Sequence, residues 1–282
     1  MVKSFCMAKN YQMKPKLFVL IYPLILMILL LIGCGKKEEP KIVESASMEN
    51  LKWGEGSFPI QLKISSAFSP QSEALINHAM HEWEAIGDQN FFGDPEATFP
   101  RNFTSLRDYF YKDRDSNGVY FSLVPIEELG SDYLAVTQIY FEAGSRAHQS
   151  YNRILHFDVI VNGHSFKFSN DPQDHETYYL LTVVLHELGH ALGLAHSEEG
   201  IMIPGMSTYD SISTLGQVEA EALATKYQAT SSLKELIPGV VDAPIAPKRI
   251  RMLRYYFHKD EYRSFHEKMR FQKSKIRPRI VT

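Results

Sequence analysis

An α+β domain is the fold class this chain of 282 residues predicts. Three observations carry it. Residues 58–65 (FPIQLKIS) alternate apolar and polar and read as a strand, and a long helical pattern follows them. Three more strand-like runs then come in series, at 119–124, 134–141 and 154–161. Two helical patterns close the order, one over about 177–192 and one over 215–227.

What precedes this domain reads as a leader and a tether. Lys14 and Lys16 stand before an apolar run, 17–32, that ends in Leu31-Ile32-Gly33-Cys34. A positive head, an apolar middle and a small residue before the cut are the layout of a secretory signal. The ending is similar to a bacterial lipobox, with residues 1–33 removed and Cys34 lipid-modified. Met13 then gives a leader of more usual length. An uncleaved transmembrane anchor and a buried helix are the alternatives, but for an anchor the run is short for a bilayer and Lys36-Lys37 would lie outside. The expected place is the bacterial cell envelope, lipid-anchored in the membrane. No Asp follows Cys34, which by resemblance to known lipoproteins favours the outer membrane; secretion or inner-membrane anchoring are the alternatives. Residues 34–56 are charged and without period, as in a flexible tether. Cys6 and Cys34 are the only cysteines, so no disulfide braces the body. Hydrophobic residues at 44% and charged residues at 22% fit a globular chain and exclude a disordered one.

Within the domain the helix signals are local. Ser69-Pro70 supplies an N-cap with proline at the first helical position. Leu75, Ile76, Ala79, Trp83 and Ile86 follow at helical spacing, and Gly87 is the expected end. His78 and His81 on this helix read as solvent-facing or packing residues. Residues 91–117 are aromatic-rich with few periods. Asp113, Asp115 and Asn117, before Gly118, look like the first half of a calcium loop, so Ca2+ is a possible ligand. The twelfth position is Val124 rather than a bidentate Glu, and a polar Asn-Gly turn is the other reading.

Residues 184–206 read VLHELGHALGLAHSEEGIMIPGM. His186 and His190 are four apart and share one helix face, so both imidazoles can reach one metal. Glu187 stands one step round, beside the metal and outside its ligand set, where it can take a proton from water. Gly193 is where the helix must turn, because glycine enters the left-handed region without penalty. The turn brings back His196. Three protein ligands leave a fourth position open, the arrangement of a catalytic Zn2+. Tyr179, Leu180, Val183, Val184 and Leu188 make the helix apolar on most sides, so it should be buried.

On these residues the chain resembles the metzincin metallopeptidases, and HELGHALGLAHS with Ile201-Met202-Ile203-Pro204 is most like the matrixin branch. The resemblance implies a twisted mixed β-sheet, an active-site helix, a C-terminal helix and an open cleft, here over residues 57–237. It implies a methionine turn with Met202 as a floor beneath the ligands. Pro204 stands where other branches carry a tyrosine, so no tyrosine ligand is expected. Strand 134–141 would be the sheet's edge over the cleft, where an extended peptide adds by main-chain hydrogen bonds. Ile203, Pro204, Gly205 and Tyr209 would form one wall of the pocket after the cut bond. Leu155-His156-Phe157-Asp158 is similar to a segment that supplies structural zinc and calcium ligands, with His148 and His164 nearby, but the upstream His-x-Asp of that site is missing. The implied activity is zinc-dependent endopeptidase action on protein or peptide substrates, with Glu187 as general base. A surface-tethered zinc-binding adhesion or interaction module is the alternative, and the intact Glu187 argues against it. Matrix metalloproteinases are held latent by a propeptide cysteine; with Cys6 removed and Cys34 acylated, no thiol remains for that role.

Residues 238–282 read as linker and basic tail. Pro238, Gly239, Pro244 and Pro247 mark the linker. From Lys248 onward there are 12 Lys and Arg against 3 acids, whereas residues 34–247 hold 14 against 30. Tyr255, Tyr256, Phe257, Phe265 and Phe271 are interleaved with the bases. Such separation suggests a tail that contacts an anionic surface, either lipid headgroups or the acidic domain of its own chain. Nucleic acid is not an expected partner.

Overall fold

Strand and helix positions follow the local signals closely in the computed structural model, which describes residues 41–42, 51–112, 116–146, 149–227 and 249–259. The leader, Cys34, Asp113, Asp115, His148 and the tail beyond residue 259 lie outside the described residues. In chain order come β1 (Lys41–Ile42), β2 (Leu51–Trp53) and β3 (Leu62–Ser65). Helix α1 (Pro70–Gly87) begins where its cap predicts, with Ser72 N donating to Ser69 Oγ at 3.1 Å. Its left-handed terminal residue is Asp88 (φ 47°), one position past the expected glycine. β4 (Glu96–Thr98), α2 (Leu106–Lys112), β5 (Asn117–Phe121), β6 (Tyr133–Arg146) and β7 (Gln149–Val161) follow. Then come β8 (Phe168–Ser169), β9 (Tyr178–Tyr179), α3 (Leu180–Ala191), one 3-10 turn (Gly200–Met202), β10 (Gly205–Met206), α4 (Gln217–Tyr227) and β11 (Arg249–Lys259).

The main sheet is ordered β1-β11-β6-β7-β5-β3-β4, with β10 also beside β11 and β2 also beside β7. β6 is antiparallel to both β7 and β11, and the other pairings are parallel. Mixed sheet plus helices is the α+β class that the sequence predicts.

Two expectations change. The strand at 134–141, β6, is not an edge: β11 pairs with it along almost its whole length. Residues 51–53, at the end of the expected tether, form β2 and bury Leu51 and Trp53 against β7 and α3. Three residues are too few to show a period, which is why composition alone reads them as tether.

Period-two alternation places the site. On β6, Thr137, Ile139 and Phe141 face the helical layer, while Val136 and Gln138 face α2, where Gln138 Nε2 donates to Leu106 O at 2.9 Å. Every residue of α3 is buried. Trp83 of α1 packs against it and donates Nε1–H to Leu185 O at 3.0 Å. The carbonyls of Ala191, the last residue of α3, and of Leu192, its C-cap, have no partner within the helix and are taken by side chains from distant elements. Trp53 Nε1 donates to Ala191 O at 2.9 Å and Tyr227 Oη to Leu192 O at 2.6 Å. No described helix is long and apolar enough to cross a membrane.

Candidate metal centre

Helix α3 ends where the third ligand requires it. Gly193 has φ +86°, and a Cβ there would lie 2.5 Å from Leu51 O, so both the conformation and the close approach of β2 demand glycine. Gly193 N donates to His190 O at 2.7 Å and Leu194 N to Gly189 O at 3.0 Å, which closes the helix and reverses the chain. The reversal carries His196 to within metal-ligand reach of His186 and His190. One ligand nitrogen from each of the three lies within 4.8 Å of the others.

The donor chemistry fits a cation. His186 Nδ1 lies 2.8 Å from Ile201 O and His190 Nδ1 2.8 Å from Leu194 O. A carbonyl only accepts, so each Nδ1 carries the proton and each Nε2 keeps its lone pair. Those two Nε2 atoms are 2.9 Å apart. Two lone pairs at that distance repel unless a positive ion takes both. Burial first, and the neighbouring imidazoles second, hold His186 and His190 well below the ordinary histidine range. Burial and His258 draw His196 down to about 4, although its outer face is exposed to solvent. All three are therefore neutral at pH 7, the form that binds a metal.

Glu187 is fully buried. Thr137 Oγ1 of β6 donates to its Oε2 and lies 3.1 Å from its carbonyl oxygen. Oε1 has no hydrogen-bond partner among the described residues. Burial pushes the carboxyl up to about 8, with the Thr137 bond pulling the other way. One oxygen is thus anchored and the other is free to exchange a proton.

Met202 is buried, and a Cβ on Gly189 of α3 would strike its sulfur. Ser197 N donates to Met202 O at 3.0 Å and closes the short loop. Glu219 of α4 clasps the same loop: its Oε1 accepts from Ile201 N at 2.7 Å and its Oε2 from Gly216 N at 2.9 Å. Pro204 and Gly205 line the side of β11, with His258 N donating to Pro204 O at 3.0 Å, and Ile203 is half-buried next to them. Tyr209 is 63% exposed and stacks on His175.

Other expected ligands are otherwise engaged. Asn117 Oδ1 accepts from Phe157 N and its Nδ2 donates to Gln61 O, so this amide ties strands together, and nothing supports calcium. His156 Nε2 sits 3.1 Å from Asp158 Oδ2 inside the sheet, and His164 is exposed. His78 and His81 lie on the outer face of α1 beside Glu82 and Glu84. The triad is the one group of three or more metal-ligating side chains among the described residues. Sequence reasoning missed Thr137, Glu219, Tyr255 and Phe257. Thr137 has one local mark, as the lone threonine inside a largely apolar run.

A search of the curated proteins returns no match. A profile of the Matrixin family matches residues 65–228, which include α1, the triad and α4. The mixed sheet with its helices is consistent with a metzincin catalytic domain, and over half of the sequence lies within the match. This chain belongs to the Matrixin family.

Proposed function

We propose that this zinc metallopeptidase is an endopeptidase in which Glu187 is the general base, and that Cys34 anchors it by lipid to the bacterial cell envelope. His186, His190 and His196 would hold the zinc. When bound, the ion supplies Lewis-acid polarisation of a peptide carbonyl and lowers the pKa of its water to about 7. The protein's own part is proton traffic. Glu187 Oε1 receives the proton as water attacks and returns it to the leaving amine nitrogen. Thr137 keeps Oε2 fixed so that Oε1 stays aimed. The fully buried carboxylate with one tethered and one unpartnered oxygen, beside three convergent imidazoles, carries this reading. A ligand-only site has no use for such a group, which disfavours a non-catalytic adhesion module.

Glu187→Gln keeps the hydrogen bond and removes the base. Bound zinc should stay near one per chain while peptide hydrolysis falls at least ~100-fold. Full activity in that variant would remove Glu187 from the mechanism. Metabolic labelling with a fatty-acid analogue, lost in Cys34→Ser, tests the anchor.

A further inference from the structure

Strand β11 of this chain covers the three histidines. β11 lies antiparallel to β6 from Arg249 opposite Ala143 to His258 opposite Tyr133. Its far side is parallel to β10, with Gly205 opposite His258 and Met206 opposite Lys259. His258 N donates to Pro204 O at 3.0 Å, and Lys259 N to Asp132 O at 3.0 Å. Between these two rails β11 crosses the triad. The Phe257 ring is stacked on His186 at 3.9 Å and 14°, and the Tyr255 ring on His190 at 4.0 Å and 3°. Tyr255 also stands edge-on to His196 at 5.7 Å.

We infer that β11 is a displaceable ligand held in cis: an autoinhibitory strand that fills the substrate groove and whose sequence displays the class of peptide the groove accepts. This rests on the peptidase reading above. Strand addition is recognised through main-chain groups, which any extended peptide carries, so β11 and a substrate compete for the same edge of β6. The side chains add selectivity. Leu253, Tyr255 and Phe257 point to the helical layer and are buried, while Arg254 points away and donates Nε–H to Gln138 Oε1 at 2.8 Å. The matching ligand is an extended peptide with bulky apolar or aromatic residues at alternate positions and a base between them.

The strand lies outside the residues that match the family. The Matrixin match ends at residue 228, and β11 begins at Arg249. A connection of roughly 20 residues holds its own ligand at an effective concentration on the order of mM. Free substrates work at KM values of about 1 μM to 1 mM. A modest intrinsic affinity therefore keeps the groove closed until the strand is cut away or drawn off.

The test uses the full chain carrying Glu187→Gln, with a recognition site for an unrelated protease inserted between Pro244 and Pro247. A labelled synthetic peptide of residues 248–260 is the probe. After the cut, the released C-terminal fragment that carries β11 should exchange with the probe, and the cut chain should take up probe at least tenfold more tightly than the uncut chain. Equal uptake, or a fragment that leaves only with cooperative unfolding, overturns the inference and makes β11 a permanent strand. In the uncut chain Phe257→Ser should raise uptake as well; unchanged uptake by a folded variant counts against it. The same cut in a chain with Glu187 intact separates the two readings. Hydrolysis of a peptide library should rise at least tenfold once the fragment is removed. Exchange without any hydrolysis by the zinc-loaded chain would sink the peptidase reading, and equal hydrolysis before and after removal would sink autoinhibition alone.

Discussion

Helix α3 and strand β11 face each other across the same three imidazoles, and they are built by different rules. α3 works through side chains: ligands four residues apart, a carboxylate one step round, and a glycine where the chain must reverse. Its position is locked by Trp53 and Trp83, each donating to one of its main-chain carbonyls, and by Tyr227, which donates to the carbonyl of its C-cap, Leu192. β11 works through its backbone, which pairs with β6 on one side and with β1 and β10 on the other. The difference teaches that a catalytic wall needs particular residues at fixed spacing, whereas the wall opposite can be supplied by any strand of suitable shape.

The helix wall should therefore fail on single-atom changes. Gly193→Ala places a Cβ at positive φ and against Leu51 O. It should cost ~2–4 kcal/mol of stability in denaturant titrations and lower zinc content. A harmless alanine would mean that the reversal at His190 is not held as the geometry indicates. Thr137→Val removes the hydroxyl that anchors Glu187 while conserving shape. A drop in kcat of about 10–100-fold with little change in KM is expected. Because the Thr137 bond lowers the Glu187 pKa, the acidic limb of the kcat/KM profile should move to higher pH in this variant. An unchanged profile would assign Thr137 to packing alone.

The smallest effect is on the pH dependence of stability in the metal-free chain. The three histidines bind fewer protons folded than unfolded, so their contribution is present above pH 6.5 and is lost as pH falls below it. Glu187 behaves oppositely. Its folded pKa of about 8 exceeds 4.5, so the folded chain holds the extra proton and stability declines as pH rises from 4.5 to 8. Tyr255 on the strand wall, pushed up to about 12, contributes nothing in this range. Melting temperatures in chelator should peak near pH 6.5 and fall more steeply on the acid side. Glu187→Gln should flatten the alkaline side only; a slope that persists in that variant would place the titrating group elsewhere.

The asymmetry between the walls also explains what was legible. The motif from His186 to Met202 is contiguous, and each residue type is dictated by chemistry or by backbone conformation, so the sequence predicts both the site and the turn that closes it. α1 was equally plain because Ser69 and Pro70 mark its start. β11 was hidden by its own composition. Its Leu253, Tyr255, Phe257 alternation sits among arginines, and in the sequence the charge is the stronger signal. Thr137 and Glu219 act over 50 and 18 residues of separation, and such pairings leave no local trace. β6 could not be recognised as covered, because an edge strand and a paired one share the same pattern.

One small contact reaches beyond the cleft. β1 lies alongside β11, with Lys41 opposite Arg251 and Ile42 opposite Met252. With Cys34 as the proposed anchor, that contact leaves seven residues of leash, a span of ~25 Å at most. Loss of β11 would take away the partner of β1; the next described strand begins at Leu51, seventeen residues from Cys34, a distance of about 60 Å at full stretch. Opening the groove and lengthening the protein's reach above the bilayer would then be one event, with dormant molecules held close to the lipid and awakened ones able to forage farther out.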